Sequence, residues 1–299
     1  MIRERLPVYT IHDVALSTPA KAFEVIGLEE AFTLGKRNVF SAHRHDYYEV
    51  FWITQGSGTI AIDFTDYEIR PATLCFLSPG QVHAWTIAEP IVGYLLSFTG
   101  EFFLTGVQDP NELAEMPLFY TLGDAPLIQL NDEQAETFHN LVHKIEQEYQ
   151  ASFLERDAML RCYLRILLIE AKRLYSPNTT LHQFEAGFLL TKKLLALIEV
   201  HYLTTLSVAE YADLLHVTAN HLNETIKRTM NKTAGEVIRA RLLLEAKRLL
   251  RYSDIAISEI AYHLNFEDPS YFSRFFKKYT RLSPRDFRDL LKSSPQFEP

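Results

Sequence analysis

Between Phe32 and Leu104 the apolar positions fall in short runs suited to strands. Val50-Phe51-Trp52-Ile53, Thr59-Ile60-Ala61-Ile62 and Tyr94-Leu95-Leu96-Ser97-Phe98 are rich in β-branched and aromatic side chains. Polar, turn-forming stretches separate them: Gln55-Gly56-Ser57-Gly58, Thr65-Asp66-Tyr67 and Ser78-Pro79-Gly80. Strands this short and this closely spaced predict a small barrel or sandwich over residues 1–130. After Asn131 the period lengthens to that of a helix. Phe138, Leu141, Val142, Ile145 and Tyr149 form one apolar stripe; Ala158, Tyr163, Leu164, Leu167, Leu168 and Ala171 form another. Such stripes either pack on the barrel or face a partner, and the second use makes 131–175 a helical dimerisation segment. Ser176-Pro177-Asn178-Thr179-Thr180 opens a polar linker over 176–186. From Gly187 to residue 292 nearly everything reads as helix.

The helical tail repeats itself. Ala212, Leu215 and Val217 recur 49 residues later as Ala261, Leu264 and Phe266. Leu222, Asn223, Ile226 and Lys227 recur 50 residues later as Phe272, Ser273, Phe276 and Lys277, and Thr233 and Val237 match Ser283 and Phe287. The one-residue slip puts an extra residue in the turn of the second copy. A repeat of this kind means two copies of one supersecondary unit, each reading as helix, tight turn, helix. Ser207 with Glu210 makes a capping box for the first leading helix, and Thr218 caps the helix from Ala219 to about Thr229. Ile257 to Leu264 and Ser270 to about Tyr279 are the corresponding helices of the second copy. Small Ala212 and Ala261 let the paired helices cross closely. Ala234 to Arg251 joins the copies as one helix, whose 18 residues would span roughly 27 Å. That suits a strut holding two reading helices about one DNA turn, roughly 34 Å, apart.

Charge sharpens this picture. The 299 residues carry a net charge of −8, but unevenly. Residues 187–299 hold 17 Lys and Arg against 13 Asp and Glu, whereas residues 1–186 hold 13 against 25. Only the tail is therefore suited to meet phosphates. With 47% hydrophobic and 23% charged residues the composition is globular. No apolar run is long enough for a bilayer, since Leu164 to Ala171 is interrupted by Arg165 and Glu170. Neither membrane attachment nor a signal peptide is expected, and a cytoplasmic location follows. Cys75 and Cys162 are the only cysteines; both read as small buried hydrophobes.

The run from Ile257 to Arg288, with Ala261, Tyr262, Asn265, Phe266, Pro269, Tyr271, Phe272, Phe275, Phe276, Lys277 and Pro284, resembles the signature of the AraC/XylS family of bacterial transcription regulators. The resemblance covers about 100 residues. It implies an α+β multidomain chain: an N-terminal cupin-like β-barrel with a helical dimerisation segment, then an all-α domain with two helix-turn-helix subdomains. It also implies sequence-specific binding of double-stranded DNA, with Asn220, His221, Asn223, Lys227, Asp268, Ser270, Ser273, Arg274 and Lys277 as the contacting residues. Arg274 has the planar fork to take guanine O6 and N7 together, and Lys277 is a point charge for a phosphate. Two departures stand out. Arg281 and Asn231 sit where the family has Gly, and Glu224 occupies the register position of Arg274.

His43-Arg44-His45-Asp46-Tyr47-Tyr48-Glu49, followed by Gly56, resembles the first cupin motif, and Pro79-Gly80-Gln81-Val82-His83 the second. In metal-binding cupins the equivalent imidazoles and carboxylate hold one ion, and His43 and His45, two apart on a strand, face one side. The second motif is altered, with Ile87 in place of Asn and the Pro-x-Gly spacing lost. Regulators of this family commonly keep the His-x-His pattern without a metal. The expectation is therefore no metal, no cofactor and no catalysis. A pocket for a small-molecule effector is expected instead, formed by His43, His45, Glu49, Trp52, His83 and Trp85, with Phe76 and Tyr94 as further candidates. The alternative is a metal-dependent cupin enzyme carrying a DNA-binding tail. A homodimer is expected in either case.

Overall fold

The computed structural model describes residues 7–11, 22–33, 40–107, 112–113, 116, 118–119, 125–151, 153–175, 186–204 and 207–292. The chain divides into two compact units, Pro7–Asn178 and Thr179–Pro299. The expected linker lies outside the described residues, except Ala186, which begins a helix.

In the first unit two long strands form the frame. β4 (Tyr48–Ile62) and β7 (His83–Phe98) run antiparallel along their whole lengths. β2 (Phe23–Gly27) and β6 (Thr73–Leu77) flank them, β8 (Leu127–Gln129) pairs with β6, and β5 (Thr65–Ile69) pairs with the second half of β4. A small parallel pair, β1 (Val8–Tyr9) and β3 (Arg44–His45), stands apart. The expected turn at Gln55-Gly56-Ser57-Gly58 is instead a series of bulges inside β4, with register shifts at Ile53/Gln55, Gln55/Ser57 and Ser57/Gly58. Bulges bend a strand without ending it. Gly56 adopts φ +89°, and a Cβ there would lie 2.2 Å from the Pro90 carbonyl oxygen, so the bend requires glycine. The turn expected at Thr65-Asp66-Tyr67 falls two residues earlier. Ile62 pairs with Thr65, and Asp63 turns the chain at φ 55°.

Alternation along the strands sends successive side chains to opposite faces. Val50, Trp52, Leu74, Phe76, Leu96 and Phe98 form one core with Phe138, Val142 and Ile145 of α3 (Asp132–Gln150) and Leu164, Leu167, Leu168 and Ala171 of α4 (Arg156–Tyr175). Phe51, Ile53, Ile60, Ile62, Leu77, Trp85 and Leu95 point the other way and pack with Leu28 and Ala31 of α1 (Leu28–Thr33). A short α2 (Gly100–Leu104), capped by Thr99, follows β7. The two apolar stripes thus cover their own sheet. Leu164 and Leu168 are fully buried, and burial of a leucine side chain contributes about 1.5–3 kcal/mol. They are core residues of this unit. Of the two cysteines Cys75 is buried, whereas Cys162 is exposed, contrary to expectation. Position 162 lies on the outer side of α4, two residues from each of the buried Leu160 and Leu164.

The second unit is helical: α5 (Ala186–His201), α6 (Val208–Leu214), α7 (Ala219–Met230), α8 (Ala234–Tyr252), α9 (Ile257–His263), α10 (Pro269–Thr280) and α11 (Pro284–Lys292). The start signals act as expected. Ser207 and Glu210 form a capping box on α6, Thr218 caps α7, and Thr233 with Glu236 caps α8. α8 is held on α5 by charge: Arg241 is buried, its Nε 2.8 Å from Glu199 and its Nη1 3.1 Å from Glu245. The Arg241 guanidinium also lies 3.9 Å above the Tyr202 ring. Removing either partner would strand a buried charge, which is why such pairs lock helix position.

Candidate DNA interface and buried histidine cluster

The two turns of the tail repeat bond for bond. Val217 N–H donates to Ala212 O at 3.0 Å and Phe266 N–H to Ala261 O at 2.9 Å. His216 and Asn265 take left-handed φ values of 55° and 62° and donate to Asp213 O and Tyr262 O, each at 3.0 Å. These left-handed residues escaped the sequence reading; the signal was the middle residue of Leu215-His216-Val217 and Leu264-Asn265-Phe266. The extra residue of the second copy is Glu267, between Phe266 and the cap Asp268.

Each second helix buries one side and leaves the other open. On α7 Leu222, Thr225 and Ile226 are buried, and Asn220, His221, Glu224, Lys227 and Arg228 are exposed. On α10 Phe272 and Phe276 are buried, and Ser270, Tyr271, Arg274, Lys277 and Lys278 are exposed. The nine candidate contacts therefore separate into two groups. Asn220, His221, Lys227, Ser270, Arg274 and Lys277 lie on the open faces. The other three carry structural bonds. Asn223 Oδ1 accepts from Ala234 N–H at 3.1 Å, securing the start of α8. Ser273 Oγ donates back to Pro269 O at 2.9 Å, and Asp268 Oδ1 accepts from Ser270 N–H at 2.7 Å as the helix cap. Arg228, Lys278 and Tyr271 were missed by the sequence reading although they share the same faces. The Arg274 guanidinium sits 5.9 Å from the Tyr271 ring centre and Lys278 Nζ 5.5 Å from that of Tyr279, cation–π distances that partly order both cations. Asn220 donates to Glu224 at 3.2 Å, so the first copy carries an internal acid–amide pair where the second carries Arg274.

In the first unit the sequence-predicted effector residues divide between the two faces of the sheet. Trp52, Phe76 and Tyr94 face α3 and α4, and Tyr94 Oη donates to Glu146 of α3 at 3.3 Å. Trp85 belongs to the opposite core. By the two-residue alternation of β4 and β7, Trp85 shares its face with Glu49 and His83, and Trp52 lies on the other face. His43, His45, Glu49 and His83, in contrast, come together and are buried. His43 and His83 form an isolated bridge, their backbone N–H groups donating to each other's carbonyls at 3.1 and 2.9 Å. Their ring centres lie 4.1 Å apart, and those of His45 and His83 4.9 Å apart. Each ring places Nδ1 on a carbonyl oxygen two residues away: His43 on Ser41 at 2.9 Å, His45 on Tyr47 at 2.7 Å, His83 on Gln81 at 3.3 Å. A carbonyl can only accept, so each Nδ1 carries the proton. Glu49 Oε2 lies 2.9 Å from His45 Nε2 and 3.8 Å from His83 Nε2. Burial, reinforced by the neighbouring His43 and His45, pushes the His83 pKa well below the ordinary imidazole value. Burial and the nearby Glu49 carboxylate push the Cys75 thiol up, so it stays protonated.

Comparison with known proteins agrees with both units. Residues 30–161 match the family model of the AraC-like ligand binding domain, and residues 211–289 match a helix-turn-helix domain model. The HTH-type transcriptional activator RhaS of Escherichia coli is 25% identical over 255 residues, covering 83% of this chain and 87% of RhaS. Among solved structures, ToxT from Vibrio cholerae is 14% identical over 91% of this chain and all of its own, with a TM-score of 0.41. The C-terminal domain of the response regulator yesN from Fusobacterium nucleatum is 24% identical, covering 33% of this chain and 96% of that domain, with a TM-score of 0.32. Overlaps that low carry no argument about arrangement. No helix among the described residues is long and apolar enough to cross a membrane. With a ligand-binding domain model over its sheet-rich unit, a helix-turn-helix model over its helical tail and a transcriptional activator matching across both, this chain belongs to the AraC/XylS family of bacterial transcription regulators.

Proposed function

We propose that the regulator binds DNA with the open faces of α7 and α10, and that Asn220, His221, Lys227, Ser270, Arg274 and Lys277 make the contacts. The observation that carries this is the repeated geometry of the two turns, which presents two equivalent helix faces from the basic tail. Arg274 reads a base edge, while Lys277, Lys227, Arg228 and Lys278 hold phosphates. Asn223, Ser273 and Asp268 fix the helices and act on DNA only through them. The sensor unit works by binding and release of a ligand, with no turnover.

We further propose that the protein is a homodimer. Burial of Leu164 and Leu168 moves the contact surface to the outer side of α4. There Met159, Ile166 and Ile169 stay exposed at 39%, 45% and 37%, with Cys162 between them. Positions 159, 162, 166 and 169 alternate in steps of three and four, the spacing of a helix–helix seam. The test is selection of bound duplexes from a random pool by the full-length protein. A motif repeated twice is expected for the parent, and a single copy of the same motif for Ile166→Asp/Ile169→Asp. Recovery of unselected sequence by the parent would overturn base reading; a repeated motif from the double variant would move the dimer contact elsewhere.

A further inference from the structure

The buried histidine cluster has a geometric property that its sequence motif does not reveal. All three Nδ1 protons are committed to backbone carbonyls, so in the neutral rings every Nε2 presents a lone pair. His45 Nε2 is buried, makes no hydrogen bond, and lies 2.9 Å from a carboxylate oxygen. A lone pair and an anionic oxygen at that distance repel unless a positive charge lies between them. Either a proton lies there, carried by His45 Nε2 or by the Glu49 carboxyl, or a metal ion is ligated by both atoms. Two ligands at about 2.1 Å from one ion and at right angles to each other are themselves roughly 3 Å apart, given usual metal–nitrogen and metal–oxygen distances. His83 Nε2 is 3.8 Å from the same Glu49 oxygen, and the three donor atoms all lie within 4.8 Å of one another. Pinning of Nδ1 by a carbonyl is also how metal-bound histidines are oriented, because it fixes the tautomer and turns Nε2 toward the ion.

We propose that His45 Nε2, His83 Nε2 and Glu49 Oε2 bind a first-row divalent transition-metal ion, and that this ion is the ligand to which the sensor unit responds. This rests on the reading of the first unit as a ligand sensor. It reverses the expectation of no metal, which came from the altered second motif. The altered positions lie outside the donor set: Ile87 is four residues beyond His83, and the Pro79-Gly80 spacing precedes it. Imidazole with a single carboxylate favours Zn²⁺, Fe²⁺, Co²⁺ or Ni²⁺ over Mg²⁺ or Ca²⁺, which take oxygen ligands. His43, its ring 4.1 Å from that of His83, stands beside the set as a positioning residue.

The experiment uses untagged full-length protein, stripped with chelator and titrated with Co²⁺. One equivalent is expected to bind with visible d–d absorption, and Glu49→Gln and His83→Ala are expected to lose that spectrum. His139→Ala and His143→Ala, on exposed positions of α3, are expected to keep it. Glu49→Gln preserves side-chain size, so an unchanged near-ultraviolet dichroism spectrum shows that the loss is one of ligation. On a duplex recovered by selection, the ion is expected to change affinity roughly 5–150-fold, the usual range of coupling between two sites. Absence of a one-equivalent Co²⁺ spectrum in the parent protein would overturn the site. A bound ion with unchanged duplex affinity would overturn its role as the sensed ligand. Failure to bind any duplex, with or without ion, would count against the DNA reading alone.

Discussion

The two helix-turn-helix copies share a backbone plan and differ in what they offer to DNA. Their turns match in hydrogen bonds and in the left-handed residue, yet Glu224 of the first copy stands in the register of Arg274 of the second. Their cores differ as well. The second copy gathers Phe266, Phe272, Phe275, Phe276 and Phe287 around one another, whereas the first buries aliphatic Leu222 and Ile226 at the matching places. Duplication thus kept the parts that position a helix and let the exposed face diverge, because bonds within a turn depend on backbone geometry while the open face answers only to its partner.

The largest difference should appear in stability. Phe276→Ala removes a fully buried ring that meets Phe272 and Phe287 at centroid distances of 5.9 and 5.2 Å, and should cost about 3–5 kcal/mol. Ile226→Ala should cost about 2–5 kcal/mol, nearer the lower end because fewer atoms are removed. Denaturant titration followed in the tail's aromatic signals compares the two. Equal costs would mean that the aromatic cluster gives the second copy no added stability.

Next in size are the effects on DNA. Arg274→Ala should cost roughly 1–3 kcal/mol on a selected site and relax preference at one base pair. Lys277→Ala should weaken all sequences alike and lower the salt slope by about one. Glu224→Arg should tighten binding to every duplex and raise the salt slope by about one, making the first copy resemble the second. Salt titrations on selected and scrambled duplexes measure all three. If Arg274→Ala loses equally on scrambled DNA, the arginine is a phosphate anchor and base reading lies with Asn220 or Ser270.

A smaller effect separates the helix ends. Asn231 closes α7 at φ 53° and Arg281 closes α10 at φ 69°, both left-handed. Asn tolerates that region through local hydrogen bonding, whereas a long side chain suffers its full steric cost, on the order of 1 kcal/mol. Arg281→Gly should therefore raise thermal stability more than Asn231→Gly, as long as binding of Arg281 to DNA is not the quantity measured. A larger gain at Asn231 would show that the strain lies in the first copy.

The smallest effect concerns acid. The Glu210 carboxyl is held below its ordinary value by bonds from the Ser207 hydroxyl and backbone N–H, and Glu236 likewise by Thr233. A depressed carboxyl pKa contributes stability above its unfolded value and loses it as pH falls through the folded one. Stability of the tail should thus decline below about pH 4.5, and Glu210→Gln should flatten that decline. The matching position in the second copy is weaker, since Ala256 cannot accept and only Glu259 reaches back, to Ala256 N–H at 2.9 Å. Glu259→Ala should therefore cost less stability than Glu210→Ala in denaturant titration; equal costs would remove this distinction between the copies.

The sequence by itself determined the local features. The repeat, the caps at Ser207, Thr218 and Thr233, the joining helix and the small residues at helix crossings were all readable because each depends on neighbours within a turn or two of chain. The strands Val50–Ile53 and Thr59–Ile62 were readable too, but not that they are halves of one bulged strand, since whether Gly56 turns or bends depends on the approach of Pro90 from β7. Burial of Leu164 and Leu168 beneath their own sheet, with Met159, Ile166 and Ile169 left outside, could not be decided from periodicity, because a stripe shows a face without showing what covers it. The same holds for the sites. Residue types at Asn223, Ser273 and Asp268 suggested DNA contacts, and only the fold shows that one polar atom of each is engaged with Ala234, Pro269 and Ser270. His43, His45, Glu49 and His83 stood out as a motif. That three carbonyls fix the ring protons and turn two Nε2 atoms toward one buried carboxylate was decided by the tertiary structure alone, since those directions arise where β4 and β7 meet the segment carrying His43 and His45.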